Sequence, residues 1–236
     1  MYGYFGYLIF MLPVIIISLW AQYLVKSRFN KFSKIASRNG MTGAQAAQAV
    51  LNSGGAYGVS IGRVSGNLTD HYDPRTNKIS LSDSVYASTS VAAIGVAAHE
   101  AGHALQYAEN YAPIKFRMAL VPACNIGARL GPLLIIIGGM MSYAATASSA
   151  SMGVTIYLVG LVLFSLVALF QLVTLPVELN ASNRAIKALE SGYVLADDEM
   201  NGAKKVLKAA ALTYVAALLT SIMQIFYYAS RFKPRD

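Results

Sequence analysis

Three long runs without any charged residue constrain this chain more than any other feature of its sequence. The runs cover residues 1–25, 130–177 and 209–230. About 20 consecutive apolar residues cross a bilayer as one helix, and ionisable side chains are costly in the bilayer core. The middle run is long enough for two crossings, and the small polar residues at 145–153 divide it into spans 130–147 and 153–176. The sequence therefore predicts an α-helical integral membrane protein with about four transmembrane helices.

The charged residues that remain support this class of protein. Only 13% of the residues are charged, compared with about 25% in soluble domains. The net charge is +8, and two basic clusters, at 26–38 and 231–235, each follow an apolar run directly. Those positions suit lipid headgroups rather than a nucleic acid. We therefore expect the lipid bilayer as a partner and no nucleic-acid binding.

The first basic cluster also predicts an orientation. Basic residues are enriched in cytoplasmic loops, so the chain from residue 26 onward is expected in the cytoplasm of a multi-pass protein of the cell membrane. Residues 1–25 lack the charged start and cleavage site of a secretory signal. The expected organisation is an anchor at 1–25, a cytoplasmic segment at 26–117, a connecting helix and transmembrane hairpin at 118–177, and a second cytoplasmic segment at 178–208. A fourth transmembrane helix at 209–230 and a basic tail at 231–236 follow, although the basic residues on both flanks of this helix leave its crossing undecided.

The first cytoplasmic segment is predicted to be mainly helical with a small β-hairpin. Thr42 and Gln45 form a capping-box pattern at the start of a helix. GVSIGRV and LTDHY are typical of strands, and a DPRTN turn leads to the strand KISLS. Ser88 or Ser90 can cap the helix that follows. An edge strand before this helix could bind an extended peptide by backbone pairing.

The segment AIGVAAHEAGHALQ, residues 93–106, is the main candidate for chemistry. His99 and His103 are four residues apart, so on a helix they lie one turn apart on one face and can bind the same metal ion. Glu100 lies beside them, where it could polarise a metal-bound water. H-E-x-x-H is the signature of zinc metalloproteases, so the cytoplasmic segment 26–117 is predicted to be zincin-like. The alternative is a helix with surface histidines. Cys124 is the only cysteine, which excludes a cysteine-based zinc site.

A catalytic zinc ion usually takes a third protein ligand. Gln106 and Glu109 stand where the metzincin motif requires Gly and His, so the third ligand must come from elsewhere. The candidates are His71, Glu178, Glu190, Asp197, Asp198 and Glu199. An even number of crossings would return Glu178 to the side of the motif, where Ser182 shares its helix face and can hydrogen-bond a ligand imidazole. The alternative for Glu178 is a helix-terminal carboxylate stabilised by the helix dipole.

At these residues the chain resembles a known family. AAHEAGHALQ, PVELNASNRA and DHYDPRTNKISLS are similar to the bacterial neutral zinc metallopeptidases of the YugP-like type and, more distantly, to gluzincin-type membrane proteases. The resemblance covers most of the chain and implies that His99, His103 and Glu178 bind one zinc ion and that Glu100 is the catalytic base. The distant relatives carry E-x-x-A-D at the third ligand. Here Ala181 matches, but Ser182 replaces the Asp, and a hydroxyl orients an imidazole less strongly than a carboxylate.

The predicted function is that of a membrane-embedded zinc-dependent endopeptidase acting on membrane or membrane-adjacent proteins. Zinc lowers the pKa of its water toward about 7, and Glu100 transfers the proton to the leaving amine. A further donor is needed for the oxyanion. The candidates for that role, or for a supporting one, are Ser182, His71, Arg184, Asn180 and Tyr214. For His71 the alternative is a turn residue bonded to Asp70 or Asp73.

Two other classes of function remain open. One is a non-proteolytic zinc-binding membrane scaffold or regulator, which would need metal ligands but no base at Glu100. The other is a transporter, although the charge-free spans lack the ionisable residues expected to line a transport path. The sequence favours proteolysis over both.

Overall fold

A computed structural model of the chain describes residues 4–142, 147–192 and 194–231. Within these residues the secondary structure is six α-helices and three β-strands. They are α1 (Tyr4–Phe32), α2 (Gly43–Ser53), β1 (Ser60–Val64), β2 (His71–Asp73), β3 (Lys78–Ser82), α3 (Val91–Ala108), α4 (Ala112–Ser142), α5 (Ala147–Ser191) and α6 (Asp197–Arg231). The predicted basic tail lies outside the described residues beyond Arg231.

Four of these helices are long and apolar enough to cross a membrane. The qualifying segments are Phe5–Phe32, Ala112–Ser142, Ala150–Ser191 and Asp197–Arg231. The prediction of a helical multi-pass membrane protein with a small β part is thus confirmed. The helices extend beyond the predicted spans: α4 already begins at Ala112, and α5 continues through Glu178 without a break.

The polar break predicted at 145–153 is only partly in agreement with the structure. Residues 143–146 lie outside the described part of the chain, but α5 is helical from Ala147 onward, so 147–153 do not form a turn.

Glycines allow α4 and α5 to pack closely. A Cβ on Gly160 would lie 2.7 Å from the backbone nitrogen of Ile135, which no real side chain tolerates. Small residues at such helix contacts are typical of membrane proteins.

The described residues form two compact units. The first contains those up to Leu19, Phe116–Leu175 and those from Tyr214 onward. Its buried cluster is formed by Ile135, Tyr157 and Phe164. Tyr157 Oη donates a hydrogen bond of 2.7 Å to the carbonyl oxygen of Tyr228, which joins α5 to α6.

The second unit contains Trp20–Lys115 and Pro176–Thr213 and includes the sheet. Its strand order is β1-β3-β2, with β2 antiparallel and β1 parallel to β3. β2 and β3 form the predicted hairpin, and β1 adds a parallel strand. The strand predicted at LTDHY is shorter than expected, because Leu68 has a φ of 54°, a left-handed conformation that a strand excludes.

Helix α3 is the central element of this unit. The predicted capping box opens α2, with Thr42 N donating to Gln45 Oε1 and Gln45 N donating to Thr42 Oγ1. Ser90 caps α3 by accepting from the backbone N–H of Ala93 at 3.2 Å. Almost every residue from Val91 to Gln106 is buried. The H-E-x-x-H segment therefore belongs to the core, where polar groups need partners.

Candidate metal centre

The structure brings together His99, His103 and Glu178, the three residues predicted to bind a metal. The imidazoles lie one turn apart on α3, with ring centroids separated by 4.8 Å. Their Nε2 atoms are 3.2 Å and 3.4 Å from the same oxygen, Oε2 of Glu178 on α5. One ligand atom from each of the three residues lies within 4.8 Å of the others, and no second group of this kind occurs among the described residues.

The residues present fit a zinc ion. Two imidazole nitrogens and a carboxylate oxygen are a ligand set found in catalytic zinc sites. The Glu178 side chain is only 3% exposed, and a buried carboxylate needs a compensating positive charge. Burial disfavours the charged form of His103, but the neighbouring Glu178, with smaller contributions from Glu100 and Gln106, raises the pKa of this imidazole overall. The centre therefore attracts positive charge, either protons or a cation.

Close packing of α3 against α5 makes this convergence possible. Gly102 precedes His103 directly, and a Cβ at this position would collide with the carbonyl oxygen of Ala181. Ala181 is itself fully buried and lies three residues after Glu178. The small residues at this contact thus allow the carboxylate to reach the imidazoles.

Each imidazole is also held on the side away from Glu178. Ser182 Oγ lies 3.1 Å from His99 Nδ1, and its supporting role stays a prediction. Gln106 Oε1 lies 3.0 Å from His103 Nδ1. In the sequence, Gln106 indicates only that the metzincin motif is absent, and this contact with His103 was not predicted. The available signal was a polar residue on an apolar helix, three positions after a ligand, where side chains meet.

Two further predicted residues form a network beside the centre. Arg184 Nε donates to Asn180 Oδ1 at 2.7 Å, and its NH1 is 2.5 Å from Glu109 Oε1. Asn180 Oδ1 also accepts from Gln106 Nε2 at 2.9 Å. Arg184 and Asn180 are thus linked to His103 through Gln106. Tyr214 belongs to the other unit, and its role stays a prediction.

His71 is not part of the metal group. It is exposed on β2, and its Nδ1 lies 2.9 Å from the carbonyl oxygen of Thr69. The alternative partners were wrong in detail, because Asp70 accepts from Ser82 and Asp73 accepts from Arg75. The ring of His71 instead meets a backbone carbonyl of the turn before β2.

The other acidic candidates for the third ligand have different contacts. Glu190 pairs with Lys204 at 2.6 Å. Asp198 pairs with Arg38 at the surface. Glu199 is buried, and its carboxylate accepts the backbone N–H groups of Arg38 and Ala196. It therefore caps the start of α6 rather than lying in solvent or binding the metal.

Comparisons of the chain with known proteins found matches over most of its length. The profile of a family described as "Putative neutral zinc metallopeptidase" matches residues 7–233. The chain is 44% identical over 216 residues to a protein of Bacillus subtilis (strain 168) named "Putative membrane protease YugP", and the match covers 92% of each chain. No solved structure matches the chain.

Proposed function

Since the chain belongs to the neutral zinc metallopeptidase family, we propose that it is a membrane-embedded zinc-dependent endopeptidase of the gluzincin type. Its substrates are proteins within or next to the bilayer, and its site faces the cytoplasm. The orientation is supported by the basic residues that follow the first apolar run.

The observation that carries the proposal is the meeting of two imidazoles and one buried carboxylate from separate helices. His99, His103 and Glu178 would hold the zinc ion, and a bound zinc ion would supply Lewis acidity toward a water and a peptide carbonyl. Ser182 holds the ring of His99 in place through Nδ1. Fixing a ligand ring in this way preserves metal affinity and activity.

Glu100 is the general base, and then the general acid, in this mechanism. It follows the ligand His99 directly and is largely buried, with a relative exposure of 9%. Its carboxylate accepts the proton of the attacking water and returns it to the leaving amine, so that two chemically opposite steps use one group. A site that only bound zinc for structural reasons would need no such base.

The test is peptide hydrolysis by the purified full-length protein in detergent, with casein or a fluorogenic peptide as substrate. We expect cleavage that a chelator abolishes and zinc restores. Glu100→Gln should retain zinc but lose at least about 100-fold in kcat, the lower end of the usual contribution of general acid–base catalysis.

Glu190→Gln provides a matched control, because Glu190 is exposed on α5 and paired only to Lys204 among the contacts described above. This variant should retain activity. Equal cleavage by the Glu100→Gln protein would exclude the mechanism. Zinc binding without any cleavage by the unsubstituted protein would instead favour a scaffold or regulator.

A further inference from the structure

Gln106 is a fully buried polar side chain beside the metal centre, and the mechanism above gives it no role. Its relative exposure is 0%, and both atoms of its amide, Oε1 and Nε2, have hydrogen-bond partners. Oε1 lies 3.0 Å from His103 Nδ1, and Nε2 lies 2.8 Å from the carbonyl oxygen of Val177 and 2.9 Å from Asn180 Oδ1. One amide thus connects a ligand on α3 with two residues of α5.

The chemistry of these neighbours determines which way round the amide lies. The Val177 carbonyl can only accept, so Gln106 Nε2 must donate to it. The Nε of Arg184 can only donate, so the Asn180 atom that it meets is an oxygen that accepts from both side chains. Gln106 Oε1 is therefore the acceptor on the other side, and His103 Nδ1 must donate a proton to it.

A proton on Nδ1 leaves the lone pair of a neutral imidazole on Nε2. In His103, Nε2 is the atom directed toward Oε2 of Glu178. The amide of Gln106 therefore favours the tautomer in which His103 can bind a metal shared with Glu178. Because Nε2 of Gln106 bonds to α5, the same side chain also fixes the distance between the two ligand-bearing helices.

We propose that Gln106 is a positioning residue that holds His103 in its metal-binding tautomer and fixes α3 against α5. This inference rests on the zinc site of the proposed function. Two substitutions separate the two parts. Gln106→Met removes every hydrogen bond at similar length, whereas Gln106→Glu keeps an oxygen toward His103 Nδ1 and loses the amide donor toward Val177.

The experiment measures zinc affinity by chelator competition, and thermal unfolding, on the full chain in detergent. Both variants should unfold at lower temperature than the unsubstituted protein, since both lose the amide donor. Zinc affinity should fall about 10–100-fold in Gln106→Met, the usual effect of losing a partner of a metal-bound histidine. Gln106→Glu should retain it. A purely structural role predicts that affinity follows stability in both variants.

Nuclear magnetic resonance supplies a readout that stability does not move. The chain has three histidines, so selective ¹⁵N labelling gives few signals, and His71→Ala removes the one outside the centre. In the zinc-bound protein the Nδ1 proton of His103 should exchange slowly with water. It should exchange faster in Gln106→Met and remain protected in Gln106→Glu.

The outcomes distinguish this role from the proposed function. Unchanged zinc affinity and unchanged Nδ1 protection in Gln106→Met would overturn the positioning role while the zinc site stands. Absence of zinc from the unsubstituted protein would overturn both. If Gln106→Met does not fold, loss of affinity and Nδ1 protection in Gln106→Glu would overturn the positioning role.

Discussion

Replacing Gly102 by Ala should damage the metal centre without changing any ligand. The added Cβ would meet the carbonyl oxygen of Ala181 and lie 3.1 Å from its carbonyl carbon and 3.3 Å from its Cα. These are backbone atoms, so no side-chain rotation relieves the contact. To regain van der Waals separation from the oxygen, α3 and α5 must move apart by about 1 Å.

The size of this displacement decides which property suffers most. Overpacking a core contact costs about 1–3 kcal/mol, and the higher helix propensity of Ala returns about 1 kcal/mol. The net loss of stability is therefore modest, about 0–2 kcal/mol from those two principles. Metal–ligand distances, however, are maintained within about 0.2 Å. A shift of Glu178 on α5 relative to the imidazoles on α3 should thus weaken zinc binding more than it lowers stability.

The assay is zinc content after dialysis, chelator competition and thermal unfolding in detergent. Gly139→Ala is the matched control, because among the described residues a Cβ there would meet only the Tyr157 ring, at 3.7 Å, an ordinary contact. It should bind zinc like the unsubstituted protein and be equally or more stable. If Gly102→Ala had the zinc affinity of this control, close packing at Ala181 would not be what positions the ligands.

Three other substitutions and one change of pH test the centre. Glu178→Ala should lose stoichiometric zinc, whereas His71→Ala should retain it, since His71 is exposed and outside the group. The zinc content of both purified proteins tests this, and full zinc in Glu178→Ala would exclude this residue as a ligand. Ser182→Ala should weaken zinc binding about 10-fold, the lower end of the usual effect of losing a hydrogen bond to a metal-bound histidine. Chelator competition measures this affinity, and an unchanged value would show that Ser182 does not orient His99. Zinc affinity should fall as the pH is lowered through the raised pKa of His103, because the ligand must be deprotonated. Protonation of His103 stabilises the metal-free fold below the unfolded pKa of about 6.5, and this contribution is lost as the pH rises through the folded pKa. Calorimetric titrations with zinc, in buffers of different ionisation enthalpy, should detect the protons released when zinc binds.

The parts of the molecule that the sequence predicted are those that depend on local pattern. Charge-free length alone indicated the apolar helices, and a spacing of four placed His99 and His103 on one face. The capping box at Thr42 likewise depends only on residues within one turn. Glu178 could be predicted as a ligand because the chain has few acidic residues. The number of membrane crossings also restricts which of them can return to the side of the motif.

The parts that the sequence did not predict depend on contacts between distant segments. The amide of Gln106 meets residues of α5 more than 70 positions away, and nothing in the spacing of α3 indicates that partner. The parallel pairing of β1 with β3 requires a crossover that strand propensity does not encode. Glu199 was one of the candidates for the third ligand, but it is buried and accepts the backbone N–H of Arg38, which lies 161 positions earlier.

Helix α5 also has a consequence for the order in which the protein is made. Both imidazoles lie in the first half of the chain, whereas the carboxylate arrives on a 45-residue helix that begins at Ala147. A nascent chain ending before this helix carries His99, His103 and Glu100 but lacks Glu178. Glu178 lies in the second half of α5, beyond the apolar part that is long enough to cross a bilayer. The three residues of the candidate metal centre can therefore meet only after most of the chain has been synthesised.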